Sequence, residues 1–132
     1  MIFVDSSVWI DHLRDSESRQ VLTLRRLLRG PATGPILVGD IVMYEVLAGL
    51  PSARDVGEIR ERLQTLLLVS MVDFELVVRA VAHYHTLRRH GVTAGMVDMI
   101  IGTYCLEIGA ELLTADRHFE PMRDYLGLRL AV

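Results

Sequence analysis

Four carboxylates stand in places that invite chemistry. Asp98 is the single charge in Met-Val-Asp-Met-Ile-Ile-Gly, residues 96–102. On a helix its neighbours three and four residues away are Ala94, Gly95, Ile101 and Gly102, none of them polar. A helix that is apolar all round is usually buried, and a buried carboxylate is costly unless something pairs with it. No Lys or Arg lies between His90 and Arg117 to do so locally. Glu45 repeats the anomaly, with Ile41, Val42, Ala48 and Gly49 around it. Asp5 follows the apolar run at residues 2–4, and Asp116 follows another at 111–114. Each acid has a plainer reading: Asp5 and Asp116 as caps of the turns that follow them, Glu45 and Asp98 as acids on a helix surface. Taken together they point further. Four like charges meeting in one pocket repel strongly. A hard divalent cation, Mg²⁺ or Mn²⁺, relieves that repulsion through oxygen ligands and water. Such an ion activates water and polarises a phosphodiester. The chain has no nucleophile elbow, no zinc-like Cys/His spacing and no Gly-rich phosphate loop to support another chemistry.

Hydrophobic spacing indicates the elements that must position these acids. Residues 2–4 read as a buried strand. Asp5-Ser6-Ser7, three good capping residues, lead into a short helix through Trp9 to about Leu13. A helix from about Ser18 carries Val21, Leu24, Leu27 and Leu28 on one face and is stopped by Gly30-Pro31. Residues 31–35 read as a loop and 36–38 as a second strand. Asp40 is placed to cap the helix over 41–50 that carries Glu45. Ser52 and Asp55 resemble a capping box before a helix with Val56, Ile59, Leu63, Leu66 and Leu67 at helical spacing. Residues 68–72 read either as a strand or as a passage to the sheet edge. Asp73 caps a long helix to about His90, with Phe74, Val77, Val78 and Val81 as its apolar face and Gly91 closing it. The Asp98 helix is expected from about Ala94 to Ile108, capped near Thr93 and ended by Gly109. A strand over 111–114, a turn over 115–119, a short helical turn around 120–125 and a last strand over 128–132 complete the chain. Strand and helix alternate, which predicts an α/β fold with a mainly parallel central sheet flanked by helices, one domain over residues 1–132. In such sheets ligands collect beyond the carboxyl ends of the strands.

Composition removes several functions. All 14 basic residues are Arg and there is no Lys, which excludes P-loop NTPases and Schiff-base enzymes. A formal charge of −3 argues against a generally basic nucleic-acid coat. Local patches remain: Arg117 with His118 beside Asp116, and Arg88 with Arg89 one short loop before Asp98. His83 and His85 are two apart on a helix and point in different directions, so they do not form a metal pair. No apolar run approaches the ~20 residues of a membrane span, and the N-terminus lacks the basic start of a signal peptide. The single cysteine, Cys105, rules out an internal disulfide and fits a core position in a reducing cytoplasm.

Four motifs, in order and nearly spanning the chain, also resemble a known family. They are Val-Asp-Ser-Ser-Val-Trp-Ile-Asp at 4–11, Tyr-Glu-Val-Leu-Ala-Gly at 44–49, Val-Asp-Met-Ile-Ile-Gly at 97–102 and Leu-Leu-Thr-Ala-Asp-Arg-His-Phe at 112–119. They are similar to the PIN-domain family, and length and the Leu-Gly-Leu-Arg-Leu tail are most similar to VapC-type toxins of bacterial toxin–antitoxin pairs. The resemblance implies a PIN-like fold and Mg²⁺- or Mn²⁺-dependent cleavage of RNA. It also implies inhibition by a cognate VapB-like antitoxin, and homodimerisation. It maps Asp5, Glu45, Asp98 and Asp116 onto the acidic metal-binding and catalytic residues, and Thr114 onto a small hydroxyl beside the site. Arg117, His118, Arg88, Arg89 and Thr114 become candidate RNA contacts. One departure stands out: many relatives carry another acid two residues after the position of Asp116, and this chain has His118. Three other readings remain open here: a PIN-like nuclease in RNA processing or DNA cleavage, a non-catalytic metal- and RNA-binding module, and an unrelated α/β hydrolase or phosphatase.

Overall fold

The computed structural model describes residues 1–30 and 34–132, so the expected loop at 31–35 lies partly outside the described residues. Four short strands, β1 (Ile2–Val4), β2 (Ile36–Gly39), β3 (Leu67–Val69) and β4 (Glu111–Leu113), form one sheet in the order β3-β2-β1-β4. Every pairing is parallel. Phe3, Val4, Leu37 and Val38 are all buried, so the two central strands are covered on both faces, as parallel strands require. Because β1 and β4 run the same way with Val4 opposite Leu113, the residues that follow them emerge at the same edge of the sheet. Asp5 and Asp116 therefore become neighbours although more than a hundred residues separate them.

The helices take their starts from local chemistry. Ser18 accepts a hydrogen bond from the backbone N–H of Val21 and opens α2 (Arg19–Arg29). Ser52 accepts from Asp55 N–H and opens α4 (Ala53–Leu63). Asp73 accepts from Leu76 N–H and opens α5 (Phe74–Arg89). Each such cap contributes about 1 kcal/mol. α3 (Asp40–Ala48) follows β2 and begins one residue earlier than expected, with Gly39 as cap and Asp40 inside the first turn. α6 (Met96–Ile108) is capped by Gly95, not Thr93; the Thr93 hydroxyl instead accepts from the Arg88 guanidinium. Gly109, with φ of +69°, ends α6 in the left-handed conformation that disfavours a side chain. α1 (Ser6–Leu13) follows β1 directly, and a 3₁₀ turn (Arg117–Phe119) leads into α7 (Glu120–Leu126). In α6 a Cβ on Gly102 would collide with the Met122 sulfur of α7. The missing side chain lets α6 and the segment after Asp116 close on each other.

Three expectations are corrected. The stripe Phe74, Val77, Val78 and Val81 on α5 faces outward, with Phe74 91% exposed, while Leu76, Ala80 and Leu87 point inward. Both sets have helical spacing, and periodicity cannot say which of two apolar faces meets the core. Residues 128–132 form no strand: a single parallel bridge joins Leu130 to Leu112, carried by Leu112 N–H to Arg129 O at 2.9 Å and Ala131 N–H to Leu112 O at 2.8 Å. Met96, expected inside with the rest of its run, is 75% exposed because it opens the first turn of α6. The edge strand β3 starts at Leu67, read from spacing as helical, and takes in only the first two residues of the ambiguous 68–72 stretch. Cys105 lies in the core, where burial pushes its thiol pKa up. Among the described residues no helix is long and apolar enough to cross a membrane.

Candidate metal centre

Asp5 leaves β1 at its carboxyl end and is 4% exposed. It occupies the N-cap position of α1 but makes no side-chain capping bond. Its Oδ2 instead accepts two hydroxyls, Ser7 Oγ at 2.7 Å and Thr114 Oγ1 at 2.9 Å. Those hydroxyls also accept: Ser7 from Ala115 N–H at 3.0 Å, and Thr114 from Asp116 N–H at 3.0 Å. The end of β1 is thereby clipped to the segment after β4. Oδ1 of Asp5 receives no hydrogen bond from the described residues.

Asp116 does act partly as a cap. Its Oδ1 accepts from the backbone N–H of His118 at 2.8 Å and opens the 3₁₀ turn. The His118 ring folds back to place Nδ1 3.0 Å from the same oxygen. Glu45 is half-buried on α3, and its Oε1 accepts from Ser6 Oγ at 3.1 Å. Burial raises its pKa, the Ser6 bond opposes that rise, and the charge of Asp5 adds to it. Asp98, half-buried in the first turn of α6, has no hydrogen-bonded support among the described residues. Burial pushes its pKa up to about 6, with the like charges of Asp116, Asp5 and Glu45 adding to the shift and the His118 ring opposing it.

Beyond the carboxyl ends of β1 and β4, Asp116, Asp5 and Glu45 lie close enough for their charges to act on Asp98, while among the described residues Asp98 and Asp116, with His118, form the tightest group and Asp5 and Glu45 stand outside it. The donor set suits a hard divalent ion. Asp5, Glu45 and Asp116 each have one oxygen held by hydrogen bonds from the protein and a second oxygen without one among the described residues. Asp98 carries a charge that, among the described residues, only the His118 ring offsets. Ligand atoms of Asp98, Asp116 and His118 lie within 4.8 Å of one another, the scale of ligands around a single ion. The residues present therefore fit a cation.

The other candidates are placed differently. Thr114 is 8% exposed, with its hydroxyl engaged by Asp5 and Asp116; it stands behind the carboxylates and is not at the rim. Arg117 is exposed and pairs with Glu120 at 3.7 Å. Arg88 bonds Thr93, and Arg89 bonds Thr86. No arginine is among the charges that act on Asp98. Ser6 and Ser7 were read from sequence only as caps. Their signal was available: three cap-type residues follow a buried strand where one suffices, which leaves two hydroxyls for other work.

Comparison with known proteins fits this geometry. Residues 2–124 match the PIN domain family. Ribonuclease VapC32 of Mycobacterium tuberculosis (strain ATCC 25618 / H37Rv) is 33% identical over 132 residues, covering 99% of this chain and 97% of the relative. VapBC2 from Rickettsia felis, solved bound to a DNA fragment from its promoter, superposes with a TM-score of 0.77 at 15% identity, covering 99% of this chain and 98% of that one. VapBC-1 from nontypeable Haemophilus influenzae gives 0.76 at 18% identity, with 99% and 97% covered.

Proposed function

The chain belongs to the PIN-domain family, and from that premise we propose that it is a metal-dependent endoribonuclease, the toxin of a VapBC-type toxin–antitoxin pair. What supports this reading is Asp98, whose pKa burial and the nearby charges of Asp116, Asp5 and Glu45 push up to about 6 beyond a parallel sheet. Asp5, Glu45, Asp98 and Asp116 would hold Mg²⁺ or Mn²⁺. The ion, when bound, supplies Lewis-acid activation of water and of the scissile phosphodiester. The protein's own part is positional. Ser7 and Thr114 fix one oxygen of Asp5, Ser6 steadies Glu45, and the backbone of His118 steadies Asp116. Arg117 is the best-placed candidate for an RNA phosphate, because it is exposed one residue from Asp116. The test is cleavage of total RNA by purified protein. Activity is expected with Mg²⁺ or Mn²⁺ and absent in EDTA; undiminished cleavage in chelator overturns the mechanism.

The relatives solved as VapBC complexes support a VapB-like antitoxin as partner, and the free, buried Cys105 suits a reducing cytoplasm. The outward stripe of α5 supports a homodimer. Val78 and Phe74 are exposed on it, Glu75 lies near its start and Arg88 and Arg89 at its end. Two copies of α5 laid antiparallel bury both stripes and set each acidic end against a basic one. Sedimentation of the purified protein should give a dimer that Val78→Arg splits. A wild-type monomer at micromolar concentration rejects the arrangement.

A further inference from the structure

We propose that His118 supplies a ring nitrogen to the same cation, making the centre a mixed oxygen–nitrogen site that favours Mn²⁺ over Mg²⁺. The inference rests on the reading of the four acids as a cation centre and goes beyond it. His118 adds a softer imidazole to carboxylates that otherwise offer only hard oxygens. The geometry brings the ring to the right place. His118 Nδ1 lies 3.0 Å from Asp116 Oδ1. Ligands on adjacent corners of an octahedron, each ~2.1 Å from the ion, are about 3 Å apart. The Asp98 ligand atom completes a set whose members all lie within 4.8 Å of one another. Asp98 comes from α6 and the other two from the turn after β4, so the three atoms meet across elements. The Asp116 oxygen that now faces the ring nitrogen also accepts the backbone N–H of His118. That bond fixes the backbone of His118 beside the carboxylate, where the ring nitrogen meets the same oxygen. The ring is exposed, so a cation entering from solvent meets it first.

The chemistry of the donor sets the preference. Mg²⁺ keeps oxygen ligands and sheds water reluctantly. Imidazole is a better ligand for Mn²⁺ and for later divalent metals than for Mg²⁺. An oxygen-only pocket would discriminate less between Mg²⁺ and Mn²⁺ than this one does.

The experiment titrates the metal-free protein with Mn²⁺, followed by electron paramagnetic resonance, and then with Mg²⁺ in competition. Electron spin-echo measurements on protein labelled with ¹⁵N-histidine report any nitrogen bonded to the manganese. The wild type should show one directly coupled nitrogen. His118→Gln should remove it, weaken Mn²⁺ binding on the order of 10-fold and leave Mg²⁺ binding within about 3-fold, a smaller cost than a ligand's supporting residue usually carries. His118→Asp should remove the nitrogen signal too, while strengthening Mg²⁺ relative to Mn²⁺. Tight Mn²⁺ binding with no nitrogen coupling overturns the proposal, and so do equal losses for both ions in His118→Gln. If the wild type binds neither ion, the four-acid centre itself fails, which is a different result from a metal bound by oxygens alone.

Discussion

Asp5 and Asp98 lie within reach of each other's charge and are treated in opposite ways. Asp5 is almost fully buried, yet two hydroxyls donate to one of its oxygens. Asp98 is only half-buried, yet the charges of three acids act on it, it has no donor among the described residues, and its pKa is pushed up to about 6 despite the opposing His118 ring. The same division runs through the rest of the site. The strand-end half, Asp5 with Ser7, Thr114 and the Asp116 turn, is organised by hydrogen bonds before any ion binds. The half contributed by α6 is left in conflict, and a cation resolves it. This difference teaches where the site is rigid and where its affinity comes from. Charge-assisted hydrogen bonds hold Asp5 in one orientation, while repulsion relieved at Asp98 becomes binding free energy for the metal.

The comparison breaks most visibly in paired variants. Asp5→Asn and Asp98→Asn should each lower kcat/KM for RNA by more than about 100-fold, beyond the usual cost of a residue that only supports a ligand. Their effects on the metal-free fold should have opposite signs. Asp5→Asn weakens two charge-assisted bonds in a buried place and should destabilise by about 1–3 kcal/mol. Asp98→Asn removes the conflict and should stabilise by up to about 1 kcal/mol at pH 7, after allowance for solvent screening. Urea unfolding of both variants in EDTA checks the signs; two losses of equal size would end the distinction.

Acidity sharpens it. The raised pKa means that, between about pH 4 and about pH 6, folded Asp98 retains a proton that the unfolded chain gives up. The metal-free wild type should therefore lose stability as pH rises through that window. The advantage of Asp98→Asn should be absent below about pH 4 and complete above about pH 7. A pH-independent difference would mean that the charge of Asp98 is not its cause.

Ser7→Ala comes next in size. It removes one of the two donors on Asp5 and the acceptor for Ala115 N–H. Mn²⁺ affinity should fall 10- to 100-fold, and Ser7→Thr, which keeps the hydroxyl, should recover most of it. Unchanged affinity in Ser7→Ala would show that Thr114 alone orients Asp5. The smallest effect is expected at Arg117, outside both halves. Arg117→Ala should flatten the salt dependence of RNA binding by up to about one ion and leave metal affinity unaltered. An unchanged slope removes Arg117 from the phosphate contacts.

Much of this architecture could be read from the chain. Ser18, Ser52 and Asp73 act as caps and Gly109 as a terminator because each works on backbone groups within a few residues. Strand–helix alternation implied a parallel sheet, and that sheet brings Asp5 and Asp116 to one edge. The anomaly of Asp98 and Glu45 was also local, since an acid with only apolar and small helical neighbours is visible in any sequence. The apolar stripe of α5 was equally visible, yet spacing alone assigned it to the wrong side.

The sequence by itself determined which residues share a face, where helices begin and end, and that four acids needed a common explanation. Tertiary structure decided what each face meets. It turned Phe74 and Val78 outward, aimed Ser6 at Glu45 across 39 residues, and spent Thr114 on Asp5 across 109. It also set the exposed His118 ring against Asp116. The reason is one of range. Helical spacing and capping act over three or four residues, whereas a buried carboxylate takes its donors from whatever the parallel sheet carries to its edge.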